Sequence, residues 1–152
     1  MSLQVAGFLD HSTVNGEGFR SVLFLSGCRH NCPGCHNVAM QNFDYGDYLS
    51  TEEVAQKIVK NLPLIDGLTL SGGDPFEQIE GILSLLDYLK PYNLNIWAYT
   101  GYTYAELVKD PLKCKLLPYL NVLVDGPFLI HKKCNHLPYI GSSNQCILHL
   151  KP

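Results

Sequence analysis

Apolar residues along this chain follow two periods. Val22-Leu23-Phe24-Leu25 is a continuous apolar run that stops at Ser26-Gly27. Gly67-Leu68-Thr69-Leu70 stops at Ser71-Gly72-Gly73, and Leu94, Ile96 and Ala98 alternate up to Thr100-Gly101. Asn121-Val122-Leu123-Val124 stops at Asp125-Gly126-Pro127. Short runs closed by glycine and polar residues predict buried strands. Between them the period lengthens. Ser50-Thr51-Glu52-Glu53 has the form of a capping box, and Val54, Ile58, Val59 and Leu62 follow at helical spacing. Ile79, Ile82, Leu83, Leu86 and Leu89 form a second helical stripe, ended by Pro91. A short helix is expected over Tyr104 to Val108, and Cys146 to Leu150 reads as a last strand.

Strand and helix therefore alternate, which predicts an α/β fold with a mostly parallel sheet and helices outside it. A closed eight-stranded barrel takes about 250 residues, and this chain has 152. The expectation is one domain over residues 1–152, an open partial barrel of (βα)6 type, with a flat doubly wound sheet as the alternative. Each glycine-rich polar segment follows a strand. Ligands in parallel α/β folds bind at the carboxyl ends of strands. Ser26-Gly27-Cys28, Ser71-Gly72-Gly73-Asp74, Tyr99-Thr100-Gly101 and Asp125-Gly126 are thus expected on one rim.

Composition narrows the function classes. Hydrophobic residues make up 46% and charged residues 16%, with a net charge of -3 and no basic stripe. Nucleic acid is not an expected partner. The first residues lack the regions of a signal peptide, and no apolar run nears the roughly 18 residues of a membrane span. A cytoplasmic protein is expected. Of the six cysteines, three cluster tightly, which in a cytoplasmic chain points to metal rather than disulfides. Cys114, Cys134 and Cys146 are scattered and read as ordinary thiols.

The cluster is Cys28-Arg-His-Asn-Cys32-Pro-Gly-Cys35. A four-iron cluster normally takes four cysteine thiolates. Three leave one iron open to bind something else. Zinc, completed by His30 or His36, is the competing reading. Gly72-Gly73-Asp74-Pro75 lets a ligand approach the backbone, and Asp74 offers an acceptor for an ammonium group. The plain alternative is a strand-to-helix turn capped by Asp74, with Pro75 first in the helix. Thr100 and Asp125 are placed to touch a ligand's ribose or carboxylate, or else to cap helices. Asn15 and Arg20 read either as a brace for cofactor or partner, or as a turn with a surface arginine. The Gly141-Ser142-Ser143-Asn144-Gln145 loop is a candidate for cofactor binding or partner docking.

The three-cysteine loop after the first strand, with a Gly-Gly-acid-Pro motif after the second, resembles the radical S-adenosylmethionine superfamily. Val14 to Arg20, Leu70 to Pro75, Trp97 to Tyr102, Val122 to Phe128 and Gly141 to Gln145 are similar to its glycyl-radical activases, in the group serving anaerobic ribonucleoside-triphosphate reductases. The resemblance implies a radical SAM core and one [4Fe-4S] cluster on Cys28, Cys32 and Cys35. It implies S-adenosylmethionine chelated to the fourth iron, lined by Gly34, Cys35 and His36, with Gly73 against its methionine part and Gly72 and Asp74 as further cofactor-binding candidates. It further implies a 5'-deoxyadenosyl radical that takes hydrogen from a glycine of the reductase, and a low-potential donor such as flavodoxin or ferredoxin. An activase of a pyruvate formate-lyase type partner, or a small radical enzyme with a small-molecule substrate, is the alternative. Asp74 stands where the superfamily more often has Glu, and Tyr139-Ile140 where the group usually reads Trp-Arg.

Overall fold

The computed structural model describes residues 1–30, 32, 35, 38–134 and 137–151. Strands β1 (Ser2–Ser12), β2 (Arg20–Leu25), β3 (Asp47–Ser50), β4 (Gly67–Gly72), β5 (Asn95–Tyr99), β6 (Val122–Asp125) and β7 (Cys146–His149) form one sheet in the order β3-β1-β2-β4-β5-β6-β7. β2, β4, β5 and β6 run parallel. β1 and β3 extend one edge antiparallel, and β7 pairs antiparallel with β6 at the other. The sheet does not close on itself.

Helices α1 (Thr51–Val59), α2 (Ile79–Leu89) and α3 (Tyr104–Lys109) lie in the links between parallel strands. α1 starts where the capping box predicts: Ser50 Oγ accepts from Glu53 N at 3.1 Å. Alternate strand residues Leu23, Leu25, Leu68, Leu70, Ile96, Ala98 and Leu123 share one buried cluster with Val54 and Ile58 of α1, Ile82 and Leu85 of α2 and Leu107 of α3. A period of two puts those strand residues on one face. The opposite face carries Trp97, Val122 and Val124, packed under Tyr139 and Ile140 of a long loop. Both faces are covered, so the strands read as continuous apolar runs.

Two expectations change. With the helices sharing one core against one face, the sheet is not doubly wound. The six-fold repeat is also absent: the described residues give four parallel strands and three crossovers. The three remaining strands, β1, β3 and β7, are antiparallel additions at the two edges of the sheet.

Arg20 is neither a surface residue nor a ligand brace. It opens β2 and is 1% exposed. Its Nε donates to Thr69 Oγ1 at 2.8 Å, Nη1 to Glu17 O at 2.8 Å, and Nη2 to Leu68 O at 3.0 Å and Asn95 O at 2.6 Å. One guanidinium thus ties together the starts of β2, β4 and β5. Burial pushes its pKa down to about 10, against the charge of Asp66. Among the described residues no helix is long and apolar enough to cross a membrane.

Candidate metal centre

The four strand-end segments meet, as chain order alone implied. A cleft of about 180 Å³ opens at the carboxyl ends of the parallel strands. Cys28, His30, Cys32 and Cys35 line it after β2; Ser71, Gly72 and Gly73 after β4; Tyr99, Thr100 and Gly101 after β5; Gly126 after β6. Phe128, Gly141 and Gln145 form the far wall.

The cysteine loop is held through its backbone. Gly27 N donates to Met40 O at 2.7 Å, Cys28 N to Gln41 O at 3.1 Å, and Cys35 N to Cys32 O at 3.1 Å. The three thiols are half-buried and none is in a disulfide. Burial pushes the Cys28 thiol up to about 11, and the charge of Asp74 adds to the effect. A thiolate at that position needs a cation beside it, which a bound metal supplies. Three soft sulfur donors on one wall fit an iron–sulfur group. Gly34 and His36 lie outside the described residues.

Glycines build the second wall. Gly72 has φ of 110°, a left-handed conformation. At Gly73 a Cβ would stand 2.5 Å from Gly27 O and 2.6 Å from Met40 O. The close approach that Gly73 permits is therefore made by the chain itself, which brings the end of β4 against the root of the cysteine loop.

Asp74 is fully buried. Its Oδ1 accepts from Phe76 N at 3.0 Å, capping a 3-10 turn over Pro75–Glu77 with Pro75 in first position. Thr100 Oγ1 donates to the same carboxylate, 3.1 Å from Oδ1 and 2.9 Å from Oδ2. Gly101 N donates to Oδ2 at 3.0 Å, and His30 Nε2 lies 2.7 Å from it. The capping turn is thus the local geometry, and the carboxylate also locks three rim segments together. The hydrogen bond to Asp74 raises the His30 pKa, while burial opposes it. Asp74 occupies His30 Nε2, and Nδ1 is the ring nitrogen left for another partner. One donor atom each from Cys28, His30 and Asp74 lie within 4.8 Å of one another.

Comparison with known proteins settles the family. The profile described as "4Fe-4S single cluster domain" matches residues 14–148. The chain is 41% identical to a Vibrio cholerae protein over 88% of this chain and 90% of that one, and 39% identical to a Pasteurella multocida protein over 88% and 89%. An Escherichia coli protein is 36% identical over 91% and 93%. All three are named anaerobic ribonucleoside-triphosphate reductase-activating protein. The chain belongs to this family.

The family's single-cluster domain supports a [4Fe-4S] cluster, and the wall of Cys28, Cys32 and Cys35 is where thiols gather in this chain. The other sequence candidates have these positions. Thr100 lines the cleft with its hydroxyl turned to Asp74. Asp125 is buried, and its Oδ2 accepts from Tyr104 N at 2.7 Å at the start of α3, a helix-capping contact. Gln145 Oε1 accepts from Gly141 N at 2.8 Å and Ser142 N at 3.1 Å, while its Nε2 donates to Gly126 O at 3.1 Å. That loop is tied to the end of β6. Asn15 O accepts from Thr69 Oγ1 at 2.6 Å, at the opposite end of the strand from the cleft motif. Cys114, Cys134 and Cys146 are not among the cleft-lining residues. Sequence reasoning weighed His30 only as a zinc ligand and passed over Arg29, Glu77 and Tyr102. The faint signal was charge: Arg29-His30 in the cysteine spacer and two acids, Asp74 and Glu77, after the next strand.

Proposed function

We propose that the chain activates an anaerobic ribonucleoside-triphosphate reductase, acting as a radical S-adenosylmethionine oxidoreductase. Cys28, Cys32 and Cys35 hold a [4Fe-4S] cluster, leaving one iron for the cofactor's amino and carboxylate groups. When bound, the cluster supplies the low-potential electron that splits the sulfonium of S-adenosylmethionine into methionine and the 5'-deoxyadenosyl radical, which takes hydrogen from a glycine of the partner. Iron–sulfur potentials reach about −700 mV, a range zinc has no access to.

The observation that carries this reading is the convergence of three half-buried thiols with the backbones of Gly72, Gly73 and Gly101 in one cleft. The chain's own residues do the positioning. Gly73 allows the end of β4 to press against Gly27, and Gly72 presents backbone to the cleft. Asp74 and Thr100 fix the rim; Asp74 acts on a ligand through that rim, with its carboxylate already taken by protein donors. Gly34 and His36 are proposed to line the cofactor, and Asp125 to support its far side by holding α3. We read the open sheet as a partial barrel of the radical SAM kind, whose unclosed side admits a loop of another protein. The electron donor is a cytoplasmic flavodoxin or ferredoxin.

The test is anaerobic reconstitution with iron and sulfide, then reductant and S-adenosylmethionine. 5'-Deoxyadenosine is expected with the native chain and not with Cys28→Ala, Cys32→Ala or Cys35→Ala. No cleavage product from a fully loaded native chain would overturn the proposal.

A further inference from the structure

The spacer between Cys28 and Cys32 begins Arg29-His30, and each of these side chains reaches a carboxylate on the segment leaving β4. His30 takes Asp74. Arg29 Nε lies 2.5 Å from Glu77 Oε2. The Arg29 side chain is 72% exposed and that of Glu77 only 2%, so a surface cation reaches down to a buried anion. Glu77 Oε1 accepts from the Tyr102 hydroxyl at 2.7 Å, and Lys113 Nζ stands 3.8 Å from it. Glu77 Oε2 receives no aligned hydrogen bond among the described residues; what faces it is the charge of Arg29.

Tyr102 joins the two clamps. Its ring meets that of His30 edge-on with centroids 4.3 Å apart, and Lys113 Nζ lies 5.0 Å from its centroid. Burying a carboxylate is costly unless cations face it, and two do. An ion pair whose carboxylate is buried has a function available to it here. Net charge and hydrogen bonding near an iron–sulfur cluster set its potential, and this pair sits on the residue next to Cys28.

We propose that Glu77 is a positioning residue for the cysteine loop: through Arg29 it ties the chain just after Cys28 to the segment leaving β4, and its charge offsets that of Arg29 next to Cys28 and of Lys113 behind Tyr102. This rests on the reading that Cys28, Cys32 and Cys35 hold the cluster. It makes no demand on the reaction that follows.

The test compares Glu77→Gln, which keeps the shape and an acceptor for Tyr102, with Arg29→Gln, which alters an exposed side chain. Amide hydrogen exchange over the segment carrying Cys28 to Cys35, measured without cluster, is expected to quicken several-fold in both. The midpoint potential of the reconstituted cluster is expected to move in opposite directions: positive in Glu77→Gln, where a negative charge is lost, and negative in Arg29→Gln. A merely structural role would move both potentials the same way. Shifts of one sign, no shift, or unchanged exchange would overturn the proposal. The exchange measurement stands even where a variant takes up iron poorly. A native chain that loads its cluster yet fails to cleave S-adenosylmethionine would sink the proposed function and leave both readouts here untouched.

Discussion

Asp74→Asn separates a carboxylate that organises the rim from one that waits for a ligand. The substitution keeps shape and removes charge. Seated with its oxygen at the Oδ1 position, asparagine still accepts from Phe76 N, now 3.0 Å from that atom, so the cap survives. Its amide nitrogen then takes the Oδ2 place and faces Thr100 Oγ1, Gly101 N and His30 Nε2 at 2.9, 3.0 and 2.7 Å. The hydroxyl can rotate to accept, and His30 can offer an acceptor in its other tautomer. The Gly101 N–H cannot adapt, and two donors meet. An unsatisfied buried donor costs about 1–3 kcal/mol, and trading a charge-assisted hydrogen bond for a neutral one removes about 1 kcal/mol more. The expected loss is about 2–4 kcal/mol, out of a total of about 5–15 kcal/mol. At about 2–4 °C per kcal/mol for a chain of this size, Tm falls by roughly 5–15 °C. Trp97, the single tryptophan and buried in β5, reports unfolding of the reduced, cluster-free protein by fluorescence. A loss below about 0.5 kcal/mol, the usual range of a surface change, would contradict these contacts. It would mean that the carboxylate points into the open cleft.

Three further predictions follow from the same contacts. Gly73→Ala drives a Cβ against the carbonyl oxygens of Gly27 and Met40; backbone cannot turn aside, so the rim separates, and iron content after reconstitution falls well below native. Arg20→Met leaves Thr69 and three carbonyls without their donor at the far ends of the strands. With each unsatisfied buried acceptor costing about 1–3 kcal/mol, the expected loss in urea unfolding is at least about 3 kcal/mol, while iron bound per folded chain stays native. Cys28→Ala, Cys32→Ala and Cys35→Ala each abolish four-iron loading measured by iron and sulfide assay, whereas Cys114→Ala, Cys134→Ala and Cys146→Ala leave it unchanged.

The buried parallel strands were legible because their apolar runs and strand-end glycines are local signals. So were α1 with Ser50 as its cap and α2 with its stripe from Ile79 to Leu89. β1 was not legible. Leu3 and Val5 alternate into the core, but the register shifts between Val5 and Gly7, and the strand runs on through exposed Leu9, Asp10 and His11. β3 carries exposed Asp47 and Tyr48. Both exist because a neighbour pairs with them, which no local pattern encodes. Arg20 has the same lesson: a guanidinium at a strand start reads as surface until three backbone carbonyls close around it. The cysteines and glycines of the site were visible as a motif. The partners of Asp74 come from beyond β2 and β5, and Glu77 meets Arg29 across two loops, so their roles arise only in the folded chain.

The role proposed for this cleft is to make a radical for a partner's glycine. The most direct measurement is EPR of the reconstituted, reduced chain mixed anaerobically with S-adenosylmethionine and an anaerobic ribonucleoside-triphosphate reductase. A glycyl-radical signal on the reductase is expected with the native chain and is lost with Cys32→Ala. 5'-Deoxyadenosine released with no radical on the reductase would contradict the assigned partner, and no signal with a fully loaded cluster and no cleavage would contradict the account as a whole.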